Sequence, residues 1–381
     1  MGGKIKRLWA SGLKRRWGIA AAALAAVPGI AILAAAPAEQ AGIVSITGDA
    51  QVPPEAIAPA IDALFTQDSD TPLGETRALV IMRAGKIIAE RYAPGYGPET
   101  RHLSWSMAKT VTGLLVGIMV SDGRMALDEP APLVAWNQRG DPRAAITLRQ
   151  MMQMRTGLHH VEKGDPIEQS DALRMLVGDG AQDQAAYAAA KPLADPPGSA
   201  FLYSSATSLL LGEIVTEQLT PSRDPQVRRD AMTNFIRTRF SEPVGLKSFV
   251  PEFDAQGTLL GAAMMHMTAR DYARLGEFLR RGGVAGGRQL VATSWMRFMT
   301  TPSPTNAAYG GQLWLNRPGE GSPLFPGEAS SRIYAAAGFG GQYVIVSPTQ
   351  SLVIVRLGVT RDGEMPALKS ALAKLVQRFP G

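Results

Sequence analysis

The amino-acid sequence predicts an α+β fold in which an antiparallel sheet is flanked by helices and carries an inserted helical lobe. Two β-hairpin patterns lie near opposite ends of the chain, one at residues 77–92 and one at residues 334–357. The stretch from about residue 130 to residue 260 has helix and loop patterns but no clear strand pair. We therefore expect strands from both ends to build one α/β layer, with the helices between them forming the lobe.

Each element follows from a local pattern. A turn at Ala84-Gly85 separates the two strands of the first hairpin. The strand-like runs are 78–82 and 86–92 in the first hairpin, and 334–346 and 351–357 in the second. Helical spacing of apolar residues is found at 54–65, 111–120, 146–154, 209–215, 268–280 and 366–379. We expect the α/β layer at about 50–125 and 260–381, and the helical lobe at about 126–259.

The composition describes a globular chain whose charge is concentrated at one end. Of its 381 residues, 45% are hydrophobic and 19% are charged, which is typical of a folded domain. Six basic residues lie within residues 1–16 and account for the formal net charge of +6, so the remainder is neutral. A nucleic-acid-binding protein would keep basic patches in its body, and we therefore expect no nucleic-acid partner.

The sequence has no cysteine and four histidines, which excludes several kinds of site. Disulfides, thiolate metal sites and a cysteine nucleophile are excluded by composition. None of the histidines forms the H-E-x-x-H pattern of a zinc hydrolase, and the chain has no G-x-S-x-G elbow or Walker A loop. The sequence therefore predicts neither a metal nor a cofactor.

Residues 1–40 have the features of an export segment. Residues 1–16 are basic, and residues 17–38 carry no charge and are rich in Ala, Ile, Leu and Val. This length is close to the ~20 residues that span a bilayer, and residues 36–38 offer a small-x-small cleavage site. Two alternatives stay open, a cleaved signal and an uncleaved anchor in the inner membrane. Both predict that residues 41–381 are periplasmic or otherwise extracytoplasmic.

A candidate nucleophile lies just before the apolar helix 111–120. Ser106 and Lys109 are three residues apart, and residues at i and i+3 share a helix face. Serine needs a neighbouring base, and a lysine acts as one only when burial or positive potential lowers its pKa. The positive end of the helix dipole points at this turn. The S-x-x-K spacing therefore favours acyl transfer, whereas a second S-x-x-K, Ser11 to Lys14, lies in the basic leader.

Four segments of the chain match one family in their order and separation. They are residues 106–109, 196–205, 268–271 and 338–342. With these segments, the chain from about residue 50 onward resembles the β-lactamase and DD-peptidase-like serine hydrolases. The nearest part of that group is the class C β-lactamase-related branch, which also holds esterases and 6-aminohexanoate-dimer hydrolases. The resemblance implies a β-lactamase/transpeptidase-like fold and a serine hydrolase domain over residues 41–381.

The resemblance also implies catalytic roles. Ser106 would be the nucleophile and Lys109 its proton partner. Tyr203 would be the general base, with its phenolate favoured by the nearby lysine. Ser205 stands where many relatives have an asparagine, as in members similar to the 6-aminohexanoate-dimer hydrolases.

The third motif of the family, Lys-Thr-Gly or His-x-Gly, falls at Ala336-Ala337-Gly338 and departs from the pattern. Alanine cannot supply the positive charge that holds a substrate carboxylate, which argues against conventional penicillin or stem-peptide recognition. The backbone role would persist, with the N–H groups of Phe339 and Ser106 forming an oxyanion hole. Gly338 would permit close approach of the substrate to this strand.

Several further side chains are weaker candidates. Trp105, Tyr309 and Trp314 are aromatic residues that could border the cleft. The adjacent pair His159-His160 is predicted to lie on the surface, with the alternative that one of the two lines the cleft. His266, which stands among methionines, is predicted to be buried.

Together these observations predict an exported serine hydrolase that cleaves ester or amide bonds through a Ser106 acyl-enzyme. Its partner would be a small-molecule ester, amide or lactam, with the membrane contacted through the N-terminal segment. Two alternatives are a β-lactamase or DD-carboxypeptidase of the cell envelope, and a catalytically inactive envelope-binding protein that keeps the fold.

Overall fold

A seven-stranded antiparallel sheet lies at the centre of the described chain. The computed structural model describes residues 42–66 and 72–381. The strands of all its sheets are β1 (Val44–Ile46), β2 (Glu75–Arg83), β3 (Lys86–Tyr92), β4 (Arg101–Leu103), β5 (Val250–Pro251), β6 (Met265–Thr268), β7 (Val284–Ala285), β8 (Arg288–Gln289), β9 (Trp314–Leu315), β10 (Tyr334–Gly338), β11 (Gln342–Ser347) and β12 (Leu352–Val359). The central sheet has the order β1-β3-β2-β12-β11-β10-β9.

Helices cover both faces of this sheet and fill the long connection between its halves. They are α1 (Pro54–Phe65), α2 (Ala108–Ser121), α3 (Leu148–Met152), α4 (Asp171–Val177), α5 (Gln184–Ala189), α6 (Ser205–Leu219), α7 (Pro225–Ile236), α8 (Glu242–Val244), α9 (Ala269–Arg280), α10 (Thr293–Met299) and α11 (Met365–Val376). An antiparallel sheet flanked by helices confirms the predicted fold class.

The two predicted hairpins meet in the middle of the sheet, where β12 pairs with β2. In this pairing Val355 lies opposite Val80, and Ile354 lies opposite Ile81. Side chains alternate between the faces of a strand, so the two valines face one buried cluster and the two isoleucines face the other. Helix α9 covers the first face, while α1 and α11 pack together over the second.

The segment 334–346 forms two strands, so the prediction of one continuous strand is wrong. β10 ends at Gly338, β11 begins at Gln342, and the two pair antiparallel. Gly340 and Gly341 lie between them with φ of 71° and 79°, values that glycine adopts without steric cost. These glycines let the chain reverse at the end of the predicted substrate strand.

Between the two halves of the sheet the chain is mostly helical. Residues 126–259 supply α3 to α8 and a single short strand, β5, which pairs with β6 in a small sheet of the order β4-β6-β5. Because the partner of β5 lies outside this stretch, residues 126–259 contain no pair of strands, as the sequence predicts. Helix α2 packs against α6 and is buried along its whole length from Ala108 to Met119.

The predicted export segment, residues 1–40, lies outside the described residues, and its role stays a prediction. Among residues 42–66 and 72–381, no helix combines the length and the apolar character needed to cross a membrane.

Candidate active site

Ser106 and Lys109 meet at the start of α2, as their spacing predicts. The residues Trp105–Met107 form one 3₁₀ turn that leads into α2, and Lys109 Nζ lies 3.0 Å from Ser106 Oγ. Lys109 Nζ also donates to Ser205 Oγ at 3.0 Å and to the carbonyl oxygen of Ala262 at 3.0 Å. Three acceptors therefore surround this amine, as many as the charged form has hydrogens.

Lys109 is almost completely enclosed, with 1% of its surface exposed. Burial removes water from the ammonium group and lowers the pKa of Lys109 to about 8, although the negative charge of Glu162 opposes part of this shift. The lowered pKa expected from the sequence is confirmed. Near pH 8 a large fraction of Lys109 is neutral and can accept a proton.

Tyr203 lies at the same cleft, but its charge state differs from the prediction. Its ring stacks on Trp314 with 5.3 Å between centroids, and Lys109 Nζ lies 5.0 Å from its centre. Burial and the negative charge of Glu162 raise the pKa of Tyr203, and hydrogen bonding with Ser106 and Trp314 offsets only part of the rise. The predicted phenolate is therefore wrong, because Tyr203 is a phenol at neutral pH and can donate a proton.

Glu162 belongs to this cluster, although no sequence pattern indicated it. Its carboxylate accepts hydrogen bonds from the Ser205 backbone N–H at 2.8 Å and from Ser205 Oγ at 2.6 Å. His160 Nε2 lies 2.7 Å from the same carboxylate. Burial raises the pKa of Glu162, but the positive charge of Lys109 and the hydrogen bonds from His160 and Ser205 bring it down to about 2. Ser205 thus connects a carboxylate to the buried lysine.

The one sequence signal that points toward Glu162 is the serine at position 205. An asparagine side chain at this position would both donate and accept through separate atoms. Serine has one hydroxyl hydrogen, so a serine that accepts from Lys109 needs another acceptor for its own hydrogen. That requirement predicts a polar partner but not its position, because the segment 161–197 carries several acidic residues.

Behind Glu162, a second group of charged residues surrounds His160. Nδ1 of His160 lies 3.8 Å from Asp171 Oδ2. Asp171 accepts a hydrogen bond from the Tyr187 hydroxyl at 2.6 Å and pairs with the Lys191 ammonium. Burial raises the pKa of Asp171, but the hydrogen bonds from Lys191 and Tyr187 lower it to about 2. A chain of polar contacts therefore continues from Glu162 in the cleft toward Asp171 and Lys191 in the lobe.

Two histidine predictions are wrong, for the same physical reason. Side chains alternate between opposite sides of an extended chain. His159 is exposed whereas His160 is buried, although both are predicted on the surface. In β6, Met265 and Met267 are buried, while His266 between them keeps 29% of its side chain exposed and is not the buried residue predicted.

The end of β10 lies beside the 3₁₀ turn. A Cβ atom on Gly338 would come within 2.7 Å of the carbonyl oxygen of Ser104, so only glycine permits this close approach. Strand β9 pairs with only the first two residues of β10, which leaves that edge open at residues 336–338. Within residues 42–66 and 72–381, the Phe339 N–H has no hydrogen-bond acceptor. Backbone groups beside the turn are therefore available to a ligand.

The side chains on this strand are apolar. Ala336 is buried in the same cluster as Met107 of the turn, and Ala337 is buried in the cluster that contains Tyr309 and Trp314. The rings of Tyr309 and Trp314 also contact Tyr203, so both lie beside this predicted catalytic residue.

Two other aromatic residues form an exposed pair at the end of this strand. The ring of Phe339, which is 60% exposed, packs edge-on against Trp105 with 5.3 Å between centroids. Trp105 is itself only partly buried, so it belongs to the cleft and not to the core.

Comparisons with known proteins bear on the family and the fold of the chain. The family model described as Beta-lactamase matches residues 61–377. A 6-aminohexanoate-dimer hydrolase from Paenarthrobacter ureafaciens is 25% identical in an alignment of 341 residues, and the match covers 79% of this chain and 78% of that protein.

Solved structures are similar in fold. A candidate 6-aminohexanoate-dimer hydrolase from Bacillus anthracis superposes with a TM-score of 0.65 at 22% identity, over 80% of this chain and 81% of the other. A family VIII carboxylesterase superposes with a TM-score of 0.64 at 13% identity, over 87% of this chain and 100% of the other. Because the family match covers most of the described chain and includes Ser106, Lys109 and Tyr203, the chain belongs to the beta-lactamase family of hydrolases.

Proposed function

We propose that this protein is a serine hydrolase that cleaves small esters or amides through an acyl-enzyme on Ser106. The observation that carries the proposal is the environment of Lys109, a buried amine 3.0 Å from Ser106 Oγ with its other two contacts at Ser205 and Ala262. A lysine with a pKa of about 8 can take the serine proton near neutral pH.

In the acylation step, Lys109 Nζ accepts the proton of Ser106 as Oγ forms a bond to the substrate carbonyl carbon. The carbonyl oxygen becomes an oxyanion, for which the N–H groups of Ser106 and Phe339 are the proposed donors. As the bond to the leaving group breaks, the Tyr203 phenol donates a proton to the departing oxygen or nitrogen. The proton held by Lys109 then replaces the one that Tyr203 has lost.

In the deacylation step, water attacks the acyl carbon and gives one proton to the neutral Lys109. The bond from the acyl carbon to Ser106 Oγ breaks, and Oγ regains a proton from Lys109. The products are a carboxylic acid and the alcohol or amine released earlier, and the cluster returns to its starting protonation state.

The side chains around the nucleophile favour a substrate that places no carboxylate near Ala336-Ala337-Gly338. A buried methyl group of Ala336 stands where a lysine or histidine would bind such a group, and the neighbouring aromatic residues are the exposed Phe339 and the partly buried Trp105. These surfaces suit an apolar acyl or leaving group. The 25% identical relative is named for a dimer of 6-aminohexanoate, a linear amide, which adds linear amides to the substrates worth testing.

The experiment compares wild type with Ser106→Ala on p-nitrophenyl esters and with a fluorophosphonate label. Wild type is expected to hydrolyse the ester and to be labelled, and Ser106→Ala is expected to do neither. Ser11→Ala, which breaks the second S-x-x-K, is the matched control and is expected to keep both. Full activity and labelling in Ser106→Ala would refute the assignment.

A β-lactamase is the second candidate, favoured by the family match itself. Hydrolysis of nitrocefin by the same preparations distinguishes the two. We expect nitrocefin turnover well below ester turnover, and comparable rates would promote the β-lactamase.

A further inference from the structure

The hydrogens around Lys109 can be assigned one at a time. The Glu162 carboxylate has no hydrogen, so in its 2.6 Å contact with Ser205 Oγ the serine must donate. Ser205 has only one hydroxyl hydrogen, and toward Lys109 it can therefore only accept. The third neighbour, the carbonyl oxygen of Ala262, accepts in any state. Two of the three contacts of Lys109 Nζ are thus restricted to acceptors.

This restriction fixes the direction of the lysine lone pair. A neutral amine has two N–H bonds and one lone pair. When the two hydrogens point to Ser205 Oγ and to the Ala262 oxygen, the remaining tetrahedral direction points to Ser106 Oγ at 3.0 Å. The Ser106 hydroxyl then donates to Lys109, which is the geometry that proton removal from serine requires.

We propose that Glu162 is a positioning residue that orients Lys109 through Ser205, so that the neutral amine directs its lone pair at Ser106. This inference rests on the serine hydrolase function proposed above. Without the carboxylate, the Ser205 hydroxyl could turn its hydrogen toward the Lys109 lone pair and compete with Ser106 for it. The Lys109 amine would then be neutral, but its lone pair would point to Ser205 instead of Ser106 for part of the time.

The position of Glu162 is itself fixed. It accepts from the Ser205 backbone N–H at 2.8 Å, and His160 Nε2 lies 2.7 Å away and must be the donor, because the carboxylate has no hydrogen. The His160 side chain is enclosed, and its Nδ1 lies 3.8 Å from Asp171 Oδ2, which is too far for a hydrogen bond. A carboxylate fixed from two sides cannot follow Ser205 if the hydroxyl rotates, so the preferred hydroxyl direction is set by the fold.

Glu162 has a second, separable effect through its charge. The titratable groups that face Lys109 are Glu162 and Tyr203, and His160 faces Glu162 from the other side. A negative charge near an amine favours the ammonium form. Removing the charge therefore moves the titration of Lys109 to lower pH, whereas removing only the Ser205 hydroxyl leaves the charge in place.

The test measures kcat and KM for a p-nitrophenyl ester as a function of pH in wild type, Glu162→Gln, Glu162→Ala and Ser205→Ala. Below the pKa of Lys109 the rate rises with pH, and we call this part of the pH profile the acidic limb. Glu162→Gln keeps an oxygen for Ser205 but has no charge, so the acidic limb is expected to move to lower pH. Its maximal kcat is expected to fall by less than about tenfold. Glu162→Ala and Ser205→Ala are expected to lower kcat by about 10- to 100-fold with little change in KM. Ser205→Ala is expected to keep the wild-type limb.

The matched control is Glu168→Gln, which changes an exposed glutamate between Glu162 and α4. It is expected to leave both kcat and the acidic limb of the pH profile unchanged. Thermal melting identifies any variant that does not fold, and Ser205→Ala then tests orientation independently of Glu162. A merely structural role would reduce the folded fraction without moving the acidic limb. The orienting role is overturned if folded Glu162→Ala or folded Ser205→Ala keeps wild-type kcat, and the charge effect is overturned if folded Glu162→Gln and wild type have superimposable pH profiles. Failure of the proposed function looks different, because wild type itself would then be inactive.

Discussion

The two sides of the cleft differ in how firmly the structure fixes their groups. On the α2 side, Lys109 is 1% exposed and each of its three contacts is 3.0 Å long. On the β10 side, Phe339 is 60% exposed and its N–H has no acceptor among the described residues. The α2 side is therefore preorganised before any substrate binds. The β10 side offers an apolar surface and a backbone N–H that has no acceptor among the described residues. In the proposed mechanism the chemical step therefore depends on the preorganised side, and substrate choice depends on the exposed side chains.

The largest effect is expected from removing the amine on the preorganised side. Lys109→Met keeps the length of the side chain but has no proton acceptor, and we expect kcat for an ester to fall by about 10³-fold or more. Lys163→Met, an exposed lysine on the adjoining loop, is the control and should stay within about twofold, as expected for a surface position. Steady-state kinetics measure both, and near-normal kcat in folded Lys109→Met would show that another group is the base.

The pH dependence of the wild type probes the same side without mutation. Because burial lowers the pKa of Lys109 to about 8, the amine is charged and inactive below that pH and neutral above it. The value of kcat/KM should rise about tenfold per pH unit up to about pH 8 and then level off. Profiles recorded with a neutral ester exclude titration of the substrate. A flat profile from pH 6 to pH 9 would contradict the role of Lys109.

A smaller loss is expected for Tyr203→Phe, which keeps the ring that stacks on Trp314 and removes the phenolic proton donor. We expect kcat to fall by about 10- to 100-fold, with the acidic limb unchanged because Lys109 remains. The loss should be greater for esters with poor leaving groups, which need protonation most. Tyr96→Phe, a partly buried tyrosine stacked on His102, is the matched control. Equal rates in Tyr203→Phe and wild type would remove Tyr203 from the mechanism.

The smallest effect is expected on the apolar side. Phe339→Ala removes an exposed ring but keeps the backbone N–H, so KM for an ester with a long acyl chain should rise by about tenfold while kcat changes little. Val227→Ala, an exposed apolar residue on α7, is the control for a lost surface side chain. A fall in kcat without a change in KM would mean that the ring helps to place the oxyanion donors and does not select the substrate.

The sequence predicted the parts of this site that depend on short-range spacing. Ser106 and Lys109 lie one helical turn apart, and the hairpin around Ala84 and Gly85 follows from local turn chemistry. Glu162 was missed because its contact with Ser205 joins residues 43 positions apart, and no local pattern encodes such a distance.

The burial and charge state of side chains were predicted less well than their positions in the fold. The charge state of Tyr203 was wrong because it depends on burial and on Glu162, neither of which a motif reveals. His160 was misplaced because the adjacent His159 is exposed and the sequence does not show which member of an alternating pair points inward. The turn at Gly340 and Gly341 was overlooked because apolar residues continue on both sides of it.

The most direct test of the central claim is intact-mass spectrometry after mixing the protein with a panel of esters, linear amides and β-lactams and quenching in acid. The account predicts a mass increase equal to one acyl group for at least one ester or amide, with peptide mapping that places the acyl group on Ser106. An acyl group on another residue, or turnover of substrate in Ser106→Ala at the wild-type rate, would contradict it.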